Sequence, residues 1–173
     1  VPYLIHTVTV MNILSKANAD RDLVCAGCLH DIIEDTTVTP GELRREFGSE
    51  VTRLVLAVTK DKTFKGIRLE DQASLVVAKC DEVGEDACAL KAADLLANLS
   101  DLVWSAEAGG QEKLAELFGE KRWRRKVAHY IELGNALSQR LPSYPDLANA
   151  LLFRIKELEN IIITILRRER AIF

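Results

Sequence analysis

The sequence lacks the features that mark membrane-spanning, secreted and polyanion-binding chains. No apolar run approaches the roughly 20 residues that a membrane helix needs, and no signal peptide opens the chain. The 23 Lys and Arg are outnumbered by 26 Asp and Glu, which gives a net charge of −3. We therefore expect no binding to membranes or to nucleic acid polymers, and any phosphate binding must be local.

Cysteine is scarce, with four residues in a chain of 173. Four thiols in apolar, helix-like segments form no disulfide framework and suit a reducing compartment, so we expect a cytoplasmic protein. Cys25 and Cys28 form a Cys-x-x-Cys pair, but no second such pair follows, and Cys80 and Cys88 are spaced irregularly. We interpret these cysteines as small buried apolar residues, not as zinc ligands.

Strand-like alternation is also missing, as are internal repeats and low-complexity tracts. Hydrophobic residues make up 48% of the chain and recur at helical spacing, which is enough to bury one core. The sequence therefore predicts an all-α fold in a single domain over residues 1–173. The motif-bearing part covers about 1–106, and further helices follow over about 111–173.

Caps and glycines place the ends of the predicted helices. Asp20 is a predicted N-cap for a second helix that runs to about Glu34, and Thr39-Pro40-Gly41-Glu42 has the form of a capping box. Gly48 should end that third helix. The predicted helices run over about 1–18, 21–34, 40–46, 49–58, 68–82, 85–106, 111–118, 120–140 and 145–168.

The stretch from Cys28 to Asp35 concentrates ionisable side chains at the end of an apolar run. Residues four apart share a helix face, so His30 is expected above Glu34 and Asp31 above Asp35. A His-Asp pair beside two carboxylates is the arrangement of a metal site with an acid–base pair. This interpretation requires further ligands from other helices.

Two residues are candidates for those ligands. His6 begins the first helix in otherwise apolar surroundings, where an imidazole needs a partner or a metal if it is buried. Asp94 lies on a strongly apolar helix and forms one polar stripe with Lys91, Asn98 and Asp101. A polar stripe on such a helix faces either water or a site.

Further segments complete a recognisable pattern, in the chain order His, His-Asp, Asp. They are His30-Asp31-x-x-Glu34-Asp35-Thr36, Val38-Thr39, Glu46-Phe47-Gly48 with Val51, and Val58-Thr59-Lys60. The pattern resembles the HD-domain metal-dependent phosphohydrolases, and most of all the hydrolase domain of the RelA/SpoT family and its small stand-alone metazoan relatives. The similarity covers about residues 2–101. It implies a compact multi-helix HD-domain bundle with a metal site in the core.

The resemblance also implies an activity. These enzymes remove the 3′-pyrophosphate from guanosine tetraphosphate and pentaphosphate with manganese. Here His6, His30, Asp31 and Asp94 would hold one divalent ion, and two imidazoles with two carboxylates suit Mn²⁺ or Fe²⁺ better than a thiolate-rich zinc site. Co²⁺ and Mg²⁺ are further alternatives. Glu34 and Asp35, one turn beyond the ligands, are expected to orient the attacking water or move its proton.

A small nucleotide is the expected partner. In the family, the positions of Asn98 and Asp101 line the nucleotide pocket, and Lys91 lies on the same stripe. Lys60, Lys62, Lys65 and Arg68 form a basic segment that could bind the phosphates of the substrate. The same composition is equally consistent with an exposed loop whose charges are only solvated. His129 has no other candidate site residue near it in the sequence, and we interpret it as structural.

Departures from the family pattern leave two alternatives open. Thr7 follows the first His where the family has Pro, and Asp94-Leu95-Leu96-Ala97-Asn98 lacks the usual Arg and His. The alternatives are an HD phosphohydrolase for another nucleotide, such as a nucleoside 5′-monophosphate, and a catalytically silent nucleotide-sensing module. The Glu34-Asp35 pair argues against the silent module, since a pure binder has no need of it.

Both ends of the chain raise an expectation. The sequence starts without Met directly at the motif region, so we expect that the family's basic guanine-stacking pair precedes it. Near the other end, the strip Ile161–Leu166 is either β-prone or an amphipathic helix that packs on a partner subunit. The second alternative would make the protein a homo-oligomer.

Overall fold

Helices make up most of the structure, a computed structural model that describes residues 3–60 and 66–170. Within these two ranges there is no strand, which confirms the predicted all-α fold. The helices are α1 (Tyr3–Lys16), α2 (Arg21–Leu29), α3 (Ile32–Asp35), α4 (Pro40–Val58), α5 (Leu69–Val83), α6 (Glu85–Phe118), α7 (Trp123–Ser138) and α8 (Pro145–Arg170).

The predicted caps begin their helices. The Asp20 carboxylate accepts a hydrogen bond from the Leu23 N–H at 2.8 Å at the start of α2. At the start of α4, the Thr39 N–H donates to the Glu42 carboxylate at 2.9 Å and the Glu42 N–H donates to the Thr39 hydroxyl at 3.3 Å. Each bond satisfies an N–H that the first helical turn leaves without a partner.

The predicted second helix is wrong in its length, because α2 ends at Leu29 and the chain restarts as the short α3. Asp31 lies between them with φ −99° and ψ 0°. The His30 ring provides the physical reason, since its Nδ1 lies 2.9 Å from the Gly27 carbonyl oxygen. In an uninterrupted helix that carbonyl would accept from the Asp31 N–H. The His-Asp pair therefore lies in a break, not at the end of one continuous helix.

Helix α6 is the centre of the bundle and packs against α1, α5, α7 and α8. Nearly every residue from Ala87 to Leu99 is buried. The helix is longer than predicted and reaches Phe118, with one non-helical residue at Gly110 (φ 57°, ψ −142°). The predicted gap between residues 106 and 111 is therefore reduced to this one residue, and the helix predicted over 111–118 follows it. Asp94 lies in the buried part of this central helix, at 8% exposure.

The apolar strip Ile161–Leu166 is part of α8 and therefore helical, which decides between its two predicted structures. Ile161, Ile162, Ile165 and Leu166 are partly buried against the core, and Ile163 and Thr164 between them are exposed. In the described residues, no helix is both long enough and apolar enough to cross a membrane.

Candidate metal centre

A buried histidine stands at the centre of the site. His30 is 2% exposed, and its Nδ1 donates a proton to the Gly27 carbonyl oxygen at 2.9 Å. The opposite nitrogen, Nε2, is buried and has no well-aligned hydrogen bond to any described residue. Two carboxylate oxygens nevertheless lie close to it, from Asp31 at 3.2 Å and Asp94 at 3.7 Å. The nitrogen is thus aimed at a point surrounded by negative charge.

His6 faces this point from α1. Its Nε2 lies 3.2 Å from Oδ1 of Asp94, and its ring centroid lies 5.3 Å from that of His30. Close contact between α1 and α2 brings the rings together, because Gly27 has no side chain: a Cβ there would lie 2.6 Å from Leu14. One ligand atom each from His6, His30 and Asp31 fall within 4.8 Å of one another.

Asp94 is held in place by its own helix. Lys91 Nζ lies 2.7 Å from one carboxylate oxygen, and Asn98 Nδ2 donates to the other at 2.7 Å. Burial opposes ionisation, but Lys91 and the two imidazoles outweigh it and keep the pKa of Asp94 well below the usual aspartate value. Asp94 lies outside the tight 4.8 Å group of His6, His30 and Asp31 but contacts both imidazoles.

The protonation of His30 shows what the site would accept. Burial alone would lower its pKa, yet the Asp31 and Asp94 carboxylates overcome that effect and raise the pKa to about 10. The metal-free site therefore draws in a positive charge at Nε2. Two imidazoles and two carboxylates are suitable ligands for a divalent first-row cation, so the residues present fit a metal ion in place of that proton.

A cavity of about 500 Å³ opens beside these ligands. The Asp31, Glu34 and Asp94 carboxylates and the His6 imidazole line it, and α5 and α7 contribute a further part of its wall. Its charged and polar lining consists of His6, Asp31, Glu34, Thr59, Lys60, Gln72, Lys79, Lys91, Asp94, Asn98, Lys126, His129 and Tyr130.

Glu34 and Asp35 occupy different positions. The Glu34 side chain is 15% exposed and lines the cavity, and its carboxylate accepts from the Lys60 N–H at 2.5 Å and from Lys60 Nζ at 2.9 Å. Asp35 is exposed and is absent from the described lining. The structure therefore places one member of the predicted acid–base pair in the wall of the cavity that the ligands also line, and leaves the other at the surface.

The predicted substrate-binding residues are also divided. Lys60, Lys91 and Asn98 line the main cavity, and Asn98 with Asp101 lines an adjoining one of about 480 Å³ that also contains His6, Trp104 and Tyr130. Arg68 is exposed and pairs with Asp71 at 3.1 Å, outside the described lining of both cavities. Lys62 and Lys65 lie outside the described residues.

Sequence reasoning missed the part of the cavity wall that α5 and α7 contribute. Lys79 on α5 and Lys126, His129 and Tyr130 on α7 line the main cavity, although His129 was interpreted as structural. A signal was available on α7, because these three residues recur at spacings of three and four and so share a face. Nothing in the sequence indicated that this face meets the metal site.

Comparison with known proteins identifies the class. Residues 1–83 match the family described as "HD domain". The fold agrees with solved structures: lmo0812 of Listeria monocytogenes EGD-e aligns with a TM-score of 0.65 and 23% identity, over 89% of this chain and 98% of that one. A metazoan orthologue of SpoT aligns with a TM-score of 0.64 and 22% identity, over 99% of this chain and 83% of that one. The site and fold define an HD domain.

Sequence relatives narrow the family. The human guanosine-3′,5′-bis(diphosphate) 3′-pyrophosphohydrolase MESH1 is 34% identical over 133 residues, which cover 76% of this chain and 72% of that protein. MESH1 of Danio rerio is 37% identical over 138 residues, or 78% and 73% of the two chains. A probable enzyme of the same name from Mycoplasma pneumoniae is 36% identical over 116 residues, but this chain spans only 16% of its length. The chain belongs to the HD-domain family that includes the MESH1 proteins.

Proposed function

We propose that the chain is a metal-dependent phosphohydrolase that removes the 3′-pyrophosphate from guanosine 3′,5′-bis(diphosphate). The observation that carries the proposal is the meeting of His6, His30, Asp31 and Asp94, from three parts of the chain, beside a cavity with cationic side chains. The relatives that share the family bear this activity in their names. The metal that we propose is Mn²⁺, held by those four residues.

The reaction needs water, a leaving group and a place for one proton. The water oxygen forms a bond to the phosphorus that is attached to the ribose 3′ oxygen. The bond between this phosphorus and the 3′ oxygen breaks, and one proton ends on the 3′ oxygen. The products are GDP and pyrophosphate. A bound divalent ion supplies Lewis acidity, which increases the acidity of water and neutralises charge on the phosphoryl oxygens.

The residues of the chain would orient the reactants. Glu34 is proposed to align the attacking water and accept its proton, which is supported by its carboxylate at the cavity wall and its fixed orientation against Lys60. Asp35 is the proposed second member of this pair. Lys91 and Asn98 hold Asp94 in one orientation, so they position a ligand and also border the substrate space.

Incubation of the purified protein with guanosine 3′,5′-bis(diphosphate) and Mn²⁺ tests the proposal. We expect equal amounts of GDP and pyrophosphate to be released, with release abolished by a chelator and restored by Mn²⁺. Failure to release either product, together with hydrolysis of a nucleoside 5′-monophosphate, would reject the proposed substrate while retaining the metal site.

A further inference from the structure

Lysines on the main cavity differ in how their charge is balanced. Lys60 pairs with Glu34 at 2.9 Å and Lys91 pairs with Asp94 at 2.7 Å. Lys79 and Lys126 line the same cavity, but among the described residues neither lies within 4.0 Å of a carboxylate. Lys60 and Lys91 are therefore each paired with a carboxylate, whereas the α5 and α7 wall has two cations without an acidic partner among the described residues.

The positive charge of Lys126 is destabilised by its surroundings in the absence of a ligand. Burial lowers the pKa of its ammonium group, and the positive charges of Lys60 and Lys91 lower it further. Its described contact is the face of the Tyr130 ring, whose centroid lies 5.2 Å from Nζ. An anion in the cavity would relieve the repulsion among these lysines.

Lys79 retains donors for a ligand. Its Nζ donates one hydrogen bond to the Thr59 carbonyl oxygen at 2.6 Å, and an ammonium group has three protons to donate. The bond anchors the side chain beside the C-terminal end of α4. A lysine fixed in this way has less conformational freedom to lose when it binds an anion.

His129 adds an unsatisfied polar atom to the same wall. The residue is 8% exposed, and its Nδ1 is buried without a hydrogen-bond partner among the described residues. It lies one turn after Lys126 on α7 and also lines the cavity. Burial, followed by the nearby charge of Lys126, lowers the pKa of the imidazole, so the ring is neutral near pH 7. Nδ1 donates to an anion only in the form of the ring that carries a proton on this nitrogen.

We propose that Lys79, Lys126 and His129 form a second anion subsite, which binds the 5′-diphosphate while the metal centre acts on the 3′-diphosphate. This proposal rests on the proposed function, because it assigns the second phosphate group of the same substrate. Asp31, Glu34 and Asp94 would repel that group from the metal side, and the α5 and α7 wall offers it cations with no acid to displace. The subsite would favour nucleotides that carry phosphate groups on both the 3′ and the 5′ oxygen of the ribose.

Two substrates that differ only in the 5′ group test the subsite. We would measure kcat/KM for guanosine 3′,5′-bis(diphosphate) and for guanosine 3′-diphosphate with the wild type, Lys79→Gln and Lys126→Gln. Each lost charged hydrogen bond should reduce the ratio of the two values by about tenfold or more. Lys156→Gln, on the exposed side of α8, is the control and should keep the wild-type ratio.

A purely structural Lys79 or Lys126 would affect both substrates equally, so an unchanged ratio would overturn the proposal. Direct binding gives an independent answer, because GDP can be titrated into the metal-free protein by calorimetry. We expect the Lys79→Gln and Lys126→Gln proteins to bind GDP about tenfold more weakly or worse, and wild-type affinity in both would reject the subsite. If the wild type hydrolyses neither substrate, the proposed function fails while the GDP titration still decides on the subsite.

Discussion

At the scale of single residues, the candidate centre is a concentration of opposed charges that its own lysine only partly relieves. Lys91 satisfies one oxygen of Asp94, but the other oxygen and the Asp31 carboxylate still face the nitrogens of His6 and His30. A proton on His30 compensates this charge in the metal-free protein. Metal and proton therefore compete for one nitrogen.

That competition predicts the pH dependence of metal binding. The folded-state pKa of His30 is about 10, so below that pH the ion must displace a proton and its apparent affinity should increase with pH. The increase is up to about tenfold per pH unit for one displaced proton. Calorimetric titration of Mn²⁺ between pH 6.5 and 8.5, in buffers of different ionisation enthalpy, measures both the affinity and the proton release. An affinity that stays constant over this range would contradict the displacement.

Glu34 gives a second prediction at this scale. Glu34→Gln keeps the shape of the side chain but removes the base, so kcat should fall by about 10²–10⁴-fold with Mn²⁺ affinity retained. Asp35→Asn is the matched comparison, and because Asp35 is exposed we expect a smaller fall. Rates are measured at saturating Mn²⁺. If Glu34→Gln hydrolyses the substrate at the wild-type rate, the assignment of the base is wrong.

The ligand residues could be proposed from the sequence because His6, His30-Asp31 and Asp94 follow the chain order of the HD-domain family. Lys126 and His129 could not, since only the packing of α7 against α5 and α6 turns them toward the cavity. Asp35 is the reverse case, a residue that the sequence predicts for the site and that the structure leaves exposed. Its place beside Glu34 in the sequence says nothing of which side chain faces inward after the chain turns at Asp31.

At the scale of elements, the helices were predictable where local chemistry fixes their ends. The caps at Asp20 and Thr39 act through neighbouring backbone groups, and both are present in the structure. Gly48, which is predicted to end a helix, interrupts α4 as a non-helical residue, and α4 continues beyond it to Val58. The break at Asp31 was not predictable in this way. Leu29, Ile32 and Ile33 continue a helical apolar pattern across it, while the His30 contact that ends α2 is a consequence of the site.

Gly48 tests how α4 is built. Its φ of 89° and ψ of 173° belong to a region that only glycine adopts readily, although a Cβ there would meet no atom within 4 Å. Gly48→Ala should therefore destabilise the protein by about 1–3 kcal/mol through backbone strain alone. Urea unfolding monitored by circular dichroism measures the change in the free energy of unfolding.

Gly41→Ala, in the first turn of the same helix, is the control for that measurement. A Cβ at Gly41 meets only the Thr39 hydroxyl at 3.9 Å, and φ there is not positive. This substitution should be neutral or stabilising by up to about 1 kcal/mol. Equal effects of the two substitutions would show that the conformation of Gly48 is not what makes it necessary.

At the scale of the whole molecule, the candidate ligands join distant parts of one core. His6 comes from α1, His30 and Asp31 from the junction of α2 and α3, and Asp94 from the central α6. The buried apolar residues of all these regions form one contiguous cluster with those of α7 and α8. The assignment of residues 1–173 to a single domain stays a prediction, and a shared core is what supports it.

A metal ion that binds ligands from three regions should stabilise the whole fold, because the unfolded chain cannot hold the four residues together. At about 100 times its Kd, the ion adds about 2.7 kcal/mol, which corresponds to an increase in Tm of about 5–10 °C for a domain of this size. His6→Gln should lose most of this Mn²⁺-dependent increase. His129→Gln, which removes the other cavity imidazole but no ligand, should retain it. Thermal unfolding with and without Mn²⁺ measures the shift, and a full shift in His6→Gln would remove His6 from the ligand set.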